Sequence, residues 1–152
     1  MHSTMRRSLI ALAVAALVAL TAGASVHAAG GTAAVKTRHA KLGTVLVDGS
    51  GRTLYLFRKD KSTRSTCSGA CATDWPPLLT TGKPAASGSA RKALLGTSTR
   101  SDGRTQVTYN GHPLYRFSGD HKAGDTTGQG VSAFGARWYA VGAAGRRIGG
   151  GY

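Results

Sequence analysis

The chain contains no glutamate, two cysteines and four prolines among its 152 residues. Without glutamate the metalloprotease pattern His-Glu-x-x-His is excluded, and a glycosidase would have to pair two of the six aspartates. No Gly-x-Ser-x-Gly pattern, phosphate-binding loop or dinucleotide fingerprint occurs. The composition therefore favours a non-enzymatic protein with no cofactor.

Long hydrophobic runs are also scarce, and the one that exists is Leu9 to Leu20. It follows Arg6 and Arg7 and precedes small residues at the −3 and −1 positions of a cleavage site, so residues 1–28 are predicted to form a secretory signal peptide. Cleavage after Ala24 is an alternative, and the arginine pair leaves the general and twin-arginine export routes open. The run is too short for a membrane span, so no transmembrane segment is expected in the mature chain.

Negative charge is in short supply throughout. Setting aside Arg6 and Arg7 leaves 18 lysines and arginines against 6 aspartates, a formal charge of +12, spread from Lys36 to Arg147. Such a charge favours polyanionic partners, although no specific nucleic-acid motif is present. We expect a secreted, extracellular protein that associates with anionic cell-wall polymers or other polyanions. The alternative is that a basic exported protein simply uses arginine freely.

What is present is a set of short β-rich runs separated by turn residues. Residues 29–41 have no periodicity and are predicted to form a flexible leader, residues 42–142 a β domain, and residues 143–152 a flexible tail. Strands are predicted at residues 43–47, 53–57, 94–99, 105–109, 113–117 and 138–141. No segment has a helical period, so at most one helical turn is expected near Ala70 to Asp74, and residues 79–92 are predicted to be a surface loop.

One hexapeptide pattern, Tyr-x-Phe-x-x-Asp, occurs twice, at Tyr55 to Asp60 and at Tyr115 to Asp120. At the same offset of 60 residues, Val47 aligns with Val107. Repeat 1 is therefore placed at about 43–78 and repeat 2 at about 103–141. The expected fold is all-β, a small single domain of two pseudo-repeats built from β-hairpins and meanders, with long Gly/Pro-rich loops.

The second hairpin has a predictable register. Asn110-Gly111 suits a two-residue type I′ turn, as does Asp102-Gly103, because both central residues of that turn need positive φ. With this turn Tyr109 opposes His112, and Gln106 shares a face with Tyr115. One face of the hairpin then carries aromatic and polar side chains together.

Two interpretations of the repeated motif remain open. Tyrosine and phenylalanine two residues apart on a strand are usually core residues, with the tyrosine hydroxyl bonded to a partner such as Gln106. The motif aspartates are well placed to accept hydrogen bonds from amides of the following turn. The alternative is an aromatic ligand platform with nearby carboxylates. Its candidate ligand-binding residues are Tyr55, Phe57, Asp60, Tyr115, Phe117 and Asp120.

Cys67 and Cys71 are predicted to form one disulfide, as expected in an exported protein. A loop this short would stabilise the fold by about 2 kcal/mol. A zinc site would need more ligands than two cysteines and scattered histidines. Asp120 and His121, followed by Asp125 and Gln129 in a Gly-rich loop, could bind a hard cation through oxygen. Capping and turn roles explain the same residues, so no metal is assigned.

Several motifs in order resemble a known family. They are the doubled hexapeptide, the run from Cys67 into Trp75-Pro76-Pro77-Leu78, and the run from Asp102 to Tyr115. Together they are similar to the bacterial secreted repeats of unknown function, predicted lipoproteins with a Tyr-x-aromatic-x-x-Asp motif. The resemblance extends over about Leu42 to Val141. It implies a cell-envelope location and an internal repeat but no chemistry, and the absence of an N-terminal lipobox cysteine departs from the lipoprotein members.

These observations predict an exported, non-enzymatic binding module of the cell envelope or extracellular space. One alternative is a small-ligand or metal-binding accessory protein that uses the motif residues. Another is a wall-polymer hydrolase, which would need two aspartates, or an aspartate and a histidine, in one cleft.

Overall fold

Short strands account for nearly all the regular structure in this computed structural model, which describes residues 31–149. Within that range the α-helical residues are confined to one five-residue helix. The elements in chain order are β1 (Ala34–Ala40), β2 (Gly43–Asp48), β3 (Tyr55–Phe57), α1 (Ala70–Asp74), β4 (Ala85–Ala86), a 3-10 turn (Lys92–Leu94), β5 (Leu95–Thr99), β6 (Thr105–Tyr109), β7 (His112–Pro113), β8 (Ser132–Ala133) and β9 (Ala136–Ala140). The all-β prediction is confirmed.

The strands form three small sheets, with strand orders β2-β1-β4, β3-β9-β8 and β5-β6-β7. All neighbouring strands are antiparallel except β1 and β4, which run parallel. The predicted register of the second hairpin is confirmed, because Thr108 pairs with Pro113 and Tyr109 with His112. Asn110 has a φ of 50°, so the turn has the positive φ that a type I′ geometry requires.

Both ends of the described chain are more ordered than the sequence indicated. Residues 29–41 were expected to be a leader, but β1 occupies Ala34–Ala40 and pairs along its whole length with β2. Only Val35 of that strand is fully buried, so the backbone ladder, rather than an alternating apolar pattern, holds it in place. Residues 143–149 of the predicted tail fold back, with the amide of Ile148 donating to the carbonyl of Ala140 at 2.8 Å. The predicted signal peptide lies outside the described residues.

The predicted surface loop at 79–92 also contains regular structure. Strand β4 lies within it and pairs with β1 through Ala34–Ala85 and Val35–Ala86. Two-residue strands carry little sequence signal, because alternation cannot be seen over so short a segment.

The two repeats exchange strands. The segment that follows the tryptophan of each repeat inserts into the hairpin of the other repeat. The exchanged hydrogen bonds are Leu78 N to Leu114 O (2.9 Å) and Val107 N to Leu78 O (2.8 Å), matched by Val141 N to Leu54 O (3.1 Å) and Leu46 N to Val141 O (2.7 Å). The repeats are therefore related by an approximate twofold axis, and each completes the core of the other.

This pairing corrects the alignment of the repeats before the motif. Leu46, not Val47, occupies the position of Val107. The amide of Leu46 donates to Val141 and the amide of Val107 donates to Leu78, and these two acceptors are the equivalent residues of the two inserted segments. The amide of Leu54 donates to Leu46, eight residues back, whereas that of Leu114 donates to Val107, seven residues back. The first hairpin thus contains one residue more than the second. The offset of 60 holds within the motif itself, whereas the two tryptophans that follow, Trp75 and Trp138, are 63 residues apart.

Two buried clusters make the core. The first is aliphatic and includes Leu46, Leu54, Val107, Leu114 and Val141. The second is aromatic and contains both tryptophans, both motif tyrosines and the disulfide, together with Val45, Val47, Phe57 and Ala140. Residues of both repeats contribute to each cluster, which is what an exchanged arrangement requires.

Candidate functional site

The tyrosine of each motif donates a hydrogen bond to the aspartate of the other motif. The Tyr55 hydroxyl lies 2.6 Å from Asp120 Oδ2, and the Tyr115 hydroxyl lies 2.6 Å from Asp60 Oδ2. The backbones of the two tyrosines also bond reciprocally, at 2.8 and 3.0 Å. Tyr55 and Tyr115 are both fully buried. Because each of these bonds has a reciprocal counterpart, the approximate twofold axis passes between the two tyrosines.

The second oxygen of each aspartate accepts from a threonine in the loop that follows. Asp60 Oδ1 accepts from the amide and hydroxyl of Thr66 at 2.8 and 2.7 Å, and Asp120 Oδ1 from those of Thr127 at 2.9 and 2.6 Å. The predicted bonds from the motif aspartates to following amides are confirmed. The threonines themselves were not predicted, although a threonine six or seven residues after each aspartate is visible in the sequence.

Burial holds both motif hydroxyls in their protonated form. It is the largest cause that raises the pKa of Tyr55, followed by the hydrogen bond to Asp120. For Tyr115, burial again comes first and the charge of Asp60 second. Each hydroxyl is therefore a hydrogen-bond donor to a carboxylate at neutral pH, which suits a cross-link between repeats.

Four aromatic rings stack across the same axis. Phe57 lies 4.0 Å from Trp138, Trp138 lies 4.0 Å from Trp75, and Trp75 lies 4.2 Å from Phe117, measured between ring centroids. The two tryptophans are almost parallel, at 4°. Each motif tyrosine contacts one tryptophan of this stack edge-on. The ring centroids are 5.4 Å apart for Tyr55 and Trp75 and 5.1 Å apart for Tyr115 and Trp138. Successive rings in the stack come alternately from the first and the second repeat, so the stack also joins the repeats.

The six residues predicted as a ligand platform are thus brought together in the interior. Five of them are buried, and Phe117 is half-buried. Their carboxylates are occupied by tyrosine and threonine donors, and their rings by one another. This placement favours the core interpretation of the motif, because five of the six side chains offer no surface to an external ligand and Phe117 offers only part of its ring.

The predicted disulfide between Cys67 and Cys71 is present. The disulfide lies in a loop that a buried arginine connects to the second repeat through hydrogen bonds. Arg100, 5% exposed, donates to the carbonyl of Cys67 at 2.7 Å, to Ser65 Oγ at 3.0 Å and to Gln106 Oε1 at 2.7 Å. Sequence reasoning missed this arginine, since one cation among eighteen carries no signal of burial.

The loop proposed as a possible cation site uses its oxygens internally. Asp125 Oδ2 accepts from the amides of His121 and Lys122, each at 3.0 Å, and the Lys122 amide is the main cause that lowers the pKa of Asp125. The Gln129 side chain bonds to Ala140 and Ile148. Within residues 31–149, no three histidine, cysteine or acidic side chains group in a way that could hold a metal.

A cavity of about 840 Å³, which we call the threonine cavity, lies between β1, the turn after β2 and the segment that follows Leu78. Its lining includes Thr32, Thr80, Thr81 and Thr105. Among the described residues its lining includes one carboxylate, Asp48, which pairs with Arg116 at 3.1 Å. Hydrolysis by a carboxylate pair needs two such groups, and the described lining supplies one.

The fold and the buried motif define a class: a small all-β domain made of two strand-exchanged repeats. A family model described as a secreted repeat of unknown function matches residues 36–79 and 96–142. The chain belongs to this family, which confirms the resemblance drawn from the motifs, and it is a secreted protein. Comparison with curated proteins and with solved structures finds no match. In the described part of the chain, no helix has the length and apolar character needed to cross a bilayer.

Proposed function

We propose that this protein is a non-enzymatic binding module that associates with anionic polymers outside the cell. The observation that carries the proposal is the unequal burial of its charges. Folding withdraws negative charge into the interior and leaves positive charge at the surface.

The acidic side chains are largely consumed by the fold. Asp48, Asp60 and Asp120 are buried and bonded internally. Of the remaining three, Asp125 caps backbone amides and Asp102 lies 2.7 Å from an arginine. The surface is therefore more cationic than the formal charge of +12 indicates.

The basic side chains behave in the opposite way. Of the 18 lysines and arginines in residues 31–149, Arg100 is the one that is buried, and 14 are exposed against two exposed aspartates. They are distributed along the chain, in strands β1 and β9 and in several of the loops, rather than in one segment. A distributed positive surface suits a flexible polyanion that can contact several sides, and such binding weakens as salt screens the charges.

The experiment is retention of the purified protein on isolated cell walls and on a soluble glycerol-phosphate polymer, from about 20 to about 500 mM NaCl. We expect binding at low salt that falls steeply with ionic strength. Binding that is absent at low salt, or that does not respond to salt, would refute the proposal.

A matched pair of variants separates charge from the particular side chain. Replacing the exposed Lys41, Lys59 and Lys83 by glutamine should weaken binding and reduce its salt dependence. Replacing the same three by arginine preserves the charge and should leave both nearly unchanged. Equal behaviour of the two variants would contradict an electrostatic mechanism.

A second candidate function is supported by the threonine cavity. Its volume, the threonine hydroxyls in a largely apolar lining and the Asp48–Arg116 pair are suited to a small ligand that has both polar and apolar faces, such as a sugar. A thermal-shift screen of sugars and polyols would test this candidate, with Arg116→Gln as the variant expected to abolish any stabilisation. Ligand effects that persist unchanged in that variant would place the ligand elsewhere.

A further inference from the structure

A second groove, of about 350 Å³, has three arginines among its seven lining residues. Its lining residues are Leu56, Arg58, Asn110, His112, Gly145, Arg146 and Arg147, and we refer to it as the arginine groove. Among the described residues, no carboxylate lines it. Arg58 and Arg146 are both exposed, and an anion bound beside them would relieve the repulsion between their like charges.

The walls of the arginine groove are fixed by the fold. Arg58 directly follows β3, and its amide donates to the carbonyl of Arg137 at 3.0 Å. Asn110 belongs to the turn between β6 and β7, and its side chain donates to the carbonyl of Gly145 at 3.1 Å. A Cβ at position 145, where φ is 74°, would collide with the Asn110 side chain, so glycine permits this close approach. The groove is therefore preformed.

An aromatic ring determines the position of one guanidinium group. That of Arg147 lies over the Tyr139 ring, 5.0 Å from its centroid. Burial, and then the charge of Arg58, lowers the pKa of His112, while Asp60 opposes them. The imidazole is thus neutral at pH 7 and offers one hydrogen-bond donor and one acceptor beside the guanidinium groups.

Comparison with the threonine cavity shows that this accumulation of cations is particular to one of two equivalent sites. Each of the two sites is formed by the turn before one motif, the segment after the same repeat's tryptophan, and the residue between tyrosine and phenylalanine of the other motif. That last residue is Arg116 in the threonine cavity and Leu56 in the arginine groove. Arg116 is neutralised by Asp48, whereas the lining of the arginine groove includes no acidic side chain within residues 31–149.

We propose that the arginine groove binds a phosphodiester group of an anionic polymer, as the specific contact point within the binding function proposed above, on which this inference rests. The planar fork of an arginine matches two phosphate oxygens, and two exposed arginines, Arg58 and Arg146, line this groove. The volume accommodates one phosphate and its polyol, which makes the groove a subsite for a single repeating unit.

The test compares two double variants that remove the same charge. Arg58→Gln with Arg146→Gln alters the groove, and Arg64→Gln with Arg91→Gln alters two exposed arginines outside it. Binding of a poly(glycerol phosphate) to each is measured by calorimetry at one fixed salt concentration, with melting temperature as the check on folding. We expect the groove variant to lose about tenfold or more in affinity, and the control variant about twofold.

The outcomes are distinct. Equal losses in both variants would overturn the groove while leaving the general charge mechanism standing, and no binding by the unaltered protein would overturn both. Monomeric glycerol phosphate added to isotope-labelled protein should shift the resonances of His112 and Asn110, and an absence of such shifts counts against the groove. A carboxylate polymer such as hyaluronate, bound as tightly and with the same sensitivity to Arg58→Gln with Arg146→Gln, would overturn the phosphodiester assignment.

Discussion

The reciprocal tyrosine–aspartate bonds lead to the sharpest prediction about stability. In Tyr55→Phe the ring stays in place, so its edge-on contact with Trp75 survives. What is lost is the hydroxyl, which donates to Asp120 at 2.6 Å and accepts from the amide of Gly128 at 3.3 Å. Asp120 is 1% exposed, so water cannot replace the missing donor at Oδ2 without local opening.

The expected cost follows from that geometry. A hydrogen bond to a charged group contributes about 1.5–3 kcal/mol, and a buried acceptor left without its donor lies at the upper part of that range. We therefore expect Tyr55→Phe to lower the free energy of unfolding by about 2–3 kcal/mol. For a domain of this size that corresponds to a fall in Tm of about 8–12 °C.

The assay is urea denaturation followed by tryptophan fluorescence, because both tryptophans lie in the stack beside the mutated ring. Tyr115→Phe should behave similarly, since its hydroxyl donates to Asp60 at the same distance. Tyr139→Phe is the control, because the Tyr139 side chain is only half-buried and its ring contact with Arg147 is retained. A cost below about 0.5 kcal/mol for both motif variants, no larger than a neutral surface change, would refute the cross-link argument.

Three other changes have defined outcomes. The folded-state pKa of Tyr55 and of Tyr115 is raised above the ordinary value, so the unfolded chain loses these protons first as the pH rises. The free energy of unfolding should therefore be constant below about pH 10 and fall above it by about 1.4 kcal/mol per pH unit for each tyrosine. Urea titrations that show no such fall would contradict the buried bonds. Replacing both cysteines by serine should cost about 2 kcal/mol, and an unchanged Tm would show that the short loop is held by other contacts. Gly128→Ala would bring a methyl group within 2.9 Å of the Tyr55 and Trp75 rings and should cost about 1–3 kcal/mol, whereas Gly31→Ala, in open space, should be neutral in the same thermal melts.

The parts of the fold that the sequence predicted are those that short-range chemistry determines. Asn110-Gly111 specified a turn, and the turn specified the register of β6 and β7. Strand β1 was missed because the sequence around Val35 lacks alternating apolar residues, and pairing with β2 supplies the stability that side chains do not. The folded-back segment before Gly149 was missed for the same reason, since its order depends on a few long-range backbone bonds.

The exchange between repeats lies beyond what the sequence can specify locally. Each motif tyrosine lies five residues before the aspartate of its own motif, so bonding to that aspartate or to the one of the other repeat cannot be distinguished from the pattern. The choice is made by the insertion of Leu78 and Val141 into the opposite hairpins. The predicted core role for the motif anticipated that the tyrosine hydroxyl needs a partner, but that partner is an aspartate 55 or 65 residues away in sequence.

Because the repeated residues are committed to holding the two halves together, any difference between the halves must lie in the residues around them. Two structurally equivalent positions show this. Asp48 and Arg116 form an ion pair beside the threonine cavity, and their counterparts beside the arginine groove are Tyr109 and Leu56, both buried in the aliphatic core. The cations of the arginine groove come instead from Arg58, within the first motif, and from Arg146 and Arg147, after β9. One of the two equivalent sites thus contains an ion pair and the other contains several arginines, which is the asymmetry expected if the arginine groove is a specific contact point for a polyanion.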